Sequence, residues 1–394
     1  MRIPLLLCPF FVVAVALPSQ TTHLVGAGGF AEIRQALAMA QPGDRILVGP
    51  GTYAHFTATV GVTIRALVPG SVEVRYDSSY APPGCTFLCN LSEGPTRFEV
   101  PAGQTAHVVG LLFQPTVHAS TFTAYHRVEV GSGRVHFEDC ALRSNGFWAL
   151  RVDQSAHVHL NACTVAGIGN LWSGAHGVLV VGGKLTAVGS TMAGGAQLQN
   201  QIGVGLQANS ATVHLSDCVL MGGALQPFGI TYPALRGSGS AFLHGCVVQG
   251  GGCAVEWGLP QPEFDDCTFS SPTNCGIPTG PFPSLVGAEQ VDPLLLGAVA
   301  TQRWFTYPNG LLLLVGSYGL GATPMPGVLA EPSWLDQSSW FFLGVFAADA
   351  SGQLTTSFVV PNVPQLRDEQ VWLSAASWPV FPLRTSPPVG GVIR

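Results

Sequence analysis

Residues 134–269 decide the fold, because they repeat one eight-residue phrase: VHFEDCAL at 135–142, VHLNACTV at 158–165, LTAVGSTM at 185–192, VHLSDCVL at 213–220, AFLHGCVV at 241–248 and PEFDDCTF at 262–269. The sixth position of the phrase falls at Cys140, Cys163, Ser190, Cys218, Cys246 and Cys267, in steps of 23, 27, 28, 28 and 21 residues. β-branched and apolar residues alternating with polar ones at a period of twenty-odd residues, punctuated by Gly, specify a parallel β-solenoid.

One coil can be written out in full. It has a strand over 150–152, a turn over 153–155, a strand over 158–160, a bend at Asn161-Ala162 and a strand over 163–165. The bend column reads Gly110, Asp139, Ala162, Gly189, Asp217, Gly245 and Asp266. Gly, and less readily Asp, accept a left-handed backbone, so the column predicts a tight corner between strands. Such a corner lets Val158, Leu160, Cys163 and Val165 all point inward, and it sends His136, His159 and His214 outward as a solvent-facing ladder. Free cysteine packs as a compact hydrophobe, so the cysteine column is expected to stack inside the coil, with Ser190 as its one substitute. Zinc is disfavoured because no C-x-x-C or paired-histidine spacing occurs.

Working outward, the chain of 394 residues holds 49 Gly and 30 Pro and is only 10% charged. Glycine without a three-residue period excludes collagen, and the abundance of Val, Ile and Leu excludes disorder. The formal net charge is −6 and Lys184 is the only lysine, so there is no basic field for a nucleic-acid partner. The N-terminus carries Arg2, an apolar run over 3–17 and the small-x-small triplet Ala14-Val15-Ala16. It reads as a secretory signal peptide over 1–16, because a membrane anchor needs about 20 apolar residues. No later transmembrane segment is apparent.

The ten cysteines less Cys8 of the signal leave nine in an oxidising compartment. Cys85 with Cys89 and Cys253 with Cys275 are candidate pairs. Phe30, Ile33, Ala36, Leu37 and Ala40 share one helical face that should end before Pro42-Gly43 and cover the open end of the first coil. Repeats fill 24–290. From 300 to 394, short segments such as LLLLVGSYG, WFFLGVFAA, LTTSFVVP and VWLSAASW, split by turns, predict a small antiparallel β-sandwich.

The run FAEIRQALAMAQPGDRILVGPGTY at 30–53 resembles the opening of secreted right-handed parallel β-helix proteins of the pectate lyase-like superfamily. There a capping helix precedes a PGD-hydrophobic-PG-x-Y strand and turn, and the later phrases are similar to that superfamily's coils. The resemblance spans 28–269 and implies the fold. It leaves activity open, since the superfamily holds lyases, hydrolases, esterases and non-catalytic adhesins. The C-terminal module is similar to β domains appended to secreted bacterial proteins.

A lyase of this superfamily would hold calcium through acids from neighbouring coils and use an Arg or Lys as base. In the corner column, however, Asp139 and Asp217 stand three coils apart, about 14 Å, whereas calcium needs oxygens at about 2.3–2.6 Å. The hydrolase order N-x-D, D-D, G-H-G, R-x-K is not kept, because GAHG at 174–177 precedes Asp265-Asp266 and no R-x-K follows.

The outward column of the first strand is expected to hold Arg151, Leu179, Gly205, Arg236 and Glu256, with Arg236 and Glu256 on adjacent coils as an ion pair or an acid–base pair. The variable returns between coils gather Trp148, Trp172, Phe228 and Tyr232, with Trp257 just beyond, and the candidate binding residues are Trp148, Arg151, Trp172, His176, Tyr232 and Trp257. The resulting expectation is a secreted or cell-surface, monomeric β-helix that binds polysaccharide or another cell-envelope component through this loop edge. It would work without catalysis and without a cofactor. The competing expectation is a polysaccharide lyase or glycoside hydrolase acting on the outward face with Arg236 and Glu256, and with calcium if a lyase.

Overall fold

The structure, a computed structural model, describes residues 20–75, 95–115, 127–144, 148–168, 175–195, 203–225, 230–250, 254–258, 262–265, 267–270, 287–292 and, with short gaps, 294–393. The signal segment, the four paired-cysteine candidates, Asp266, Trp172 and Phe228 lie outside the described residues.

Residues 22–269 wind into two all-parallel sheets of fourteen and nine strands, a right-handed parallel β-helix. The register lines up like with like. Val135, Val158, Leu185, Val213 and Ala241 pair in succession along the first sheet, and Leu142, Val165, Met192, Leu220, Val248 and Phe269 along the second. All but the last are buried. A buried Val or Leu contributes about 1.5–3 kcal/mol, so the coils hold one another by this continuous inner stripe. Phe56, Phe98, Phe137 and Phe113 extend the stripe as edge-to-face contacts.

The corners are as the bend column requires. Asp139, Ala162, Gly189, Asp217 and Gly245 have φ of 51°, 50°, 55°, 52° and 60°, and Gly110 has 74°. The thiols behind them are free, and those of Cys140, Cys163, Cys218 and Cys246 are buried. Cys140, Cys163 and Cys218 donate to backbone carbonyls, Cys163 to Phe137 O and Asn161 O at 3.3 Å, while Ser190 Oγ donates to Val188 O at 2.9 Å. A hydroxyl therefore replaces a thiol in the stack without loss of its bond. Burial raises the Cys163 thiol well above its usual pKa, which marks a packing group rather than a nucleophile.

Other expectations are corrected. The turn over 153–155 does not separate two strands. Trp148–Asn161 is one 14-residue strand, and a register shift between Val130 and Ser132 of its neighbour shows that a bulge absorbs the irregularity. The helix Ile33–Met39 packs on the first strands with Ile33 and Ala36 fully buried, and Glu32 and Gln35 form a capping box.

The second module starts before residue 300. Gly287–Gln290 pairs antiparallel with Val299–Phe305, which pairs with Gln353–Val359. Facing this sheet is one of five strands, in which Phe341–Ala347, Leu311–Ser317 and Gln370–Trp378 are adjacent, and Arg384–Thr385 and Val389–Val392 both pair with the last of these. Ala288, Trp304, Leu312, Leu314 and Leu373 form the core of this sandwich.

The outward histidines are not solvent-facing. Thr63, His107, His136, His159, Thr186, His214 and Phe242 form one column in register. His136, His159 and His214 are 5%, 1% and 1% exposed. Their rings point away from the coil interior, as alternation demands, but Trp372 of the sandwich lies on His159 and His136 with ring centroids 4.6 and 6.1 Å apart.

Candidate functional site: a charged ladder on the first sheet

The first sheet carries a second outward column, six to ten residues earlier in each coil. Its register runs Arg97, Glu129, Arg151, Leu179, Gln207, Arg236 and Glu256. Gln207 stands where Gly205 was expected. A Cβ on Gly205 would meet Met192 O, Met221 O and Ala234 O within 2.9 Å, so that residue is wedged among backbones of neighbouring coils. The repeat step of 28 from Leu179 lands on Gln207.

Each cation on the column has an acid beside it. Glu129, 8% exposed, is bridged by Arg97 Nε at 3.0 Å on Oε2 and by Arg127 Nε at 2.6 Å on Oε1. Arg151 Nε donates to Asp153 Oδ1 at 2.7 Å. Arg236 Nε lies 3.3 Å from Glu256 Oε2, with side chains 39% and 50% exposed. The adjacency of Arg236 and Glu256 on neighbouring coils is as read from the sequence. At that exposure the pair contributes at most about 1 kcal/mol. Four guanidiniums (Arg97, Arg127, Arg151, Arg236) face three carboxylates (Glu129, Asp153, Glu256), a local net of +1 on a chain of formal charge −6. Arg97, Arg151 and Arg236 pair only through Nε, which leaves their terminal amino groups unclaimed among the described residues.

Two further residues border the ladder. The Trp148 ring lies under the guanidiniums of Arg127 and Arg151, with their Cζ atoms 5.4 and 5.5 Å from its centroid. His176 pairs in register with Trp148 on the next coil. Its Nδ1 accepts the Val204 N–H at 3.1 Å, which assigns the proton of the neutral ring to Nε2 and leaves that N–H as a donor. Burial, with the charge of Arg236 behind it, pulls the imidazole down to about 4, so the ring is neutral at pH 7. Tyr232 is half-buried beyond His176.

Trp257 is placed differently from the others. It is 8% exposed, belongs to the core and donates from Nε1 to Gly239 O at 3.0 Å. Sequence reasoning missed Arg97, Arg127 and Glu129, which sit in less regular coils; the Arg-x-Glu spacing at 127–129 was the available signal.

The calcium of a lyase does not fit the corner acids. Asp139, Ala162, Gly189 and Asp217 follow one another along the helix through backbone bonds, so Asp139 and Asp217 are three strand spacings apart, about 14 Å. Among the described residues no three His, Cys, Asp or Glu side chains converge on a metal position. No described helix is long and apolar enough to cross a membrane.

No family profile matches the chain, and no curated protein matches it in sequence. Among solved structures it is similar to the enzymatically active domain of tailspike protein 2 of bacteriophage CBA120, at 8% identity and TM-score 0.36, covering 92% of this chain and 73% of that one. It is also similar to ORF18 of Geobacillus virus E2, at 10% identity and TM-score 0.32, covering 84% and 74%. A third is the A-module of the Azotobacter vinelandii mannuronan C-5 epimerase AlgE4, at 10% identity and TM-score 0.26, covering 60% and 89%.

Proposed function

We propose that this chain is a secreted, non-catalytic polysaccharide-binding protein whose ladder takes an acidic polysaccharide laid along the helix axis. The observation that carries the reading is the unclaimed terminal amino groups of Arg97, Arg151 and Arg236 on one straight column. Guanidinium groups bind carboxylates through such amino pairs, and the planar fork suits a repeating acid better than a lysine would. Arg97 and Arg151 are two strand spacings apart and Arg151 and Arg236 three, about 10 and 14 Å, a straight row suited to an extended ligand. Trp148 offers an aromatic wall, and His176 a neutral N–H donor for a sugar hydroxyl. The binding edge thus shifts from the variable returns to the sheet face beside them.

The enzyme reading assigns Arg236 as base and Glu256 as acid. Their mutual pairing at 3.3 Å and half-exposed setting favour binding, because each group is held by the other in open solvent. Titration calorimetry with polyuronate and neutral polysaccharides, at low and high salt, tests the proposal. Polyuronate should bind, weaken with salt, and lose at least tenfold in affinity in the Arg151→Ala/Arg236→Ala double variant. Equal binding of neutral polymers, untouched by that variant, would sink the acidic-ligand reading. Unsaturated or reducing products formed by the wild type, with or without calcium, and lost in Arg236→Ala would overturn the non-catalytic one.

A further inference from the structure

The covered histidine column has no place in the ladder's chemistry. Among the described residues, neither ring nitrogen of His159 and not Nδ1 of His136 has a hydrogen-bond partner, although both rings are sealed from solvent. A neutral imidazole always carries one N–H, and a buried donor without an acceptor is a cost that a purely structural position would shed. The same column shows what such a position accepts, since it holds Thr186 and Phe242 on other coils. The histidines also stack on each other, with His107, His136 and His159 ring centroids 5.1 and 5.3 Å apart in sequence. Their lid comes from the other module. Trp372 lies edge-on to both His136 and His159, and farther along the same column Arg45, in register with Thr63, donates to the Arg367 carbonyl.

We propose that this row is an acid-operated latch: protonation of His136 and His159 releases the C-terminal sandwich from the helix face while both modules stay folded. The charged surroundings favour release. Arg134, His157 and Lys184 occupy the register column two residues earlier on the same face. Arg134, His157, His107 and His159 oppose a charge on His136, and His157 opposes one on His159. On the sandwich, the strands Gln370–Trp378 and Val389–Val392 carry no charged residue, Glu369 and Arg367 precede the first of them, and Glu289 lies on the neighbouring strand Gly287–Gln290 in register with Arg303. The acids Glu138, Asp139 and Asp217 line the far part of the contact. There a cavity of about 470 Å³ opens between the corner column and Trp372, Gln290 and Gly390-Gly391. Among the described residues no carboxylate pairs with His136 or His159.

Burial holds both rings far below the usual histidine value, His159 at about 3, whereas in a released helix face they return toward 6.5. The docking constant then falls by up to about tenfold per ring for each pH unit below 6.5, about 100-fold for the two.

Small-angle scattering of the full chain between pH 8 and pH 4, with circular dichroism alongside, tests the latch. The expected result is a reversible rise in radius of gyration below pH 6 with the strand signal kept. His159→Phe and His159→Thr, residues the column already accommodates, should shift that rise to lower pH, and the His136→Phe/His159→Phe variant should abolish it. Trp372→Ala should open the molecule at higher pH than the wild type. Dimensions unchanged down to pH 4, or acid opening equal in wild type and both His159 variants, would overturn the proposal and, in the second case, assign the transition to the acids of the cavity.

Discussion

Two columns of outward side chains run side by side on the same sheet with the same spacing, yet one is an open row of ion pairs and the other a sealed row of neutral rings. On the open column, Arg97, Arg151 and Arg236 keep their charges in water and spend one nitrogen each on a neighbour. On the covered column, His136 and His159 lie under Trp372, and among the described residues His136 Nδ1 and both nitrogens of His159 have no hydrogen-bond partner. The parallel coil dictates the direction of every side chain in both columns. What differs is whether a second module is placed over it, so the chemistry of a solenoid face is set by its cover as much as by its sequence.

Changing the charge in each column is the sharpest way to break the comparison. His159→Arg puts a guanidinium beneath Trp372, where no carboxylate waits, and should cost about 3–5 kcal/mol of stability or undock the sandwich outright. Arg151→Ala, on the open column, removes a one-third-exposed pair with Asp153 and a contact with Trp148, and should cost about 1 kcal/mol or less. Urea denaturation of the two variants reads both values. Similar losses would mean the covered column is not sealed.

Acid should discriminate in the same way. His107 is held at about 4 and His159 at about 3 by burial, below an unfolded value near 6.5. The unfolded chain therefore binds protons that the native one does not, so the contribution is complete above pH 6.5 and is lost as pH falls toward the folded values. The slope is about 1.4 kcal/mol per pH unit per ring at most, and it applies most fully to His159, which is 1% exposed. Denaturation midpoints at pH 8, 6 and 4.5 should fall in that order, and the double replacement of His136 and His159 by Phe should flatten the curve. A flat wild-type curve would place these rings in water.

Within the open column the burial of Glu129 sets it apart. Glu129→Gln removes the carboxylate that bridges Arg97 and Arg127, the latter with a side chain 14% exposed, and should cost about 2 kcal/mol. Thermal melts of this variant beside wild type give the comparison.

Much of this was legible in the chain. The corner column was readable because only a few residues tolerate its positive φ, and Asp, Gly and once Ala recur there at the repeat step. The inward cysteines were readable because Ser190 replaces one of them, which a metal set would not allow. The pairing of Arg236 with Glu256 followed from alternation on adjacent coils. Cover was not legible, because Trp372 belongs to a different module and no periodicity in the helix announces it. The start of the ladder was hidden as well: Arg97 and Glu129 are 32 residues apart, beyond the 21–28 step of the clear repeats. Trp257 was misplaced because an aromatic residue next to the variable returns reads as rim, whereas its indole closes the last coils of the core.

The smallest effect on stability belongs to Glu256, and it is the one that separates the uses of the two columns. Its carboxylate is half-exposed and 3.3 Å from Arg236, so Glu256→Gln should change unfolding free energy by less than about 0.5 kcal/mol. The substitution nevertheless raises the net charge of the ladder from +1 to +2 and frees Arg236 for a ligand. If the column exists to take an acidic polymer, Glu256→Gln should bind polyuronate several-fold more tightly at low salt, with the gain lost in high salt as the charges are screened. An unchanged or weaker affinity would mean that Arg236 serves the sheet rather than a ligand. In that case the open column, like the covered one, would be read as structural.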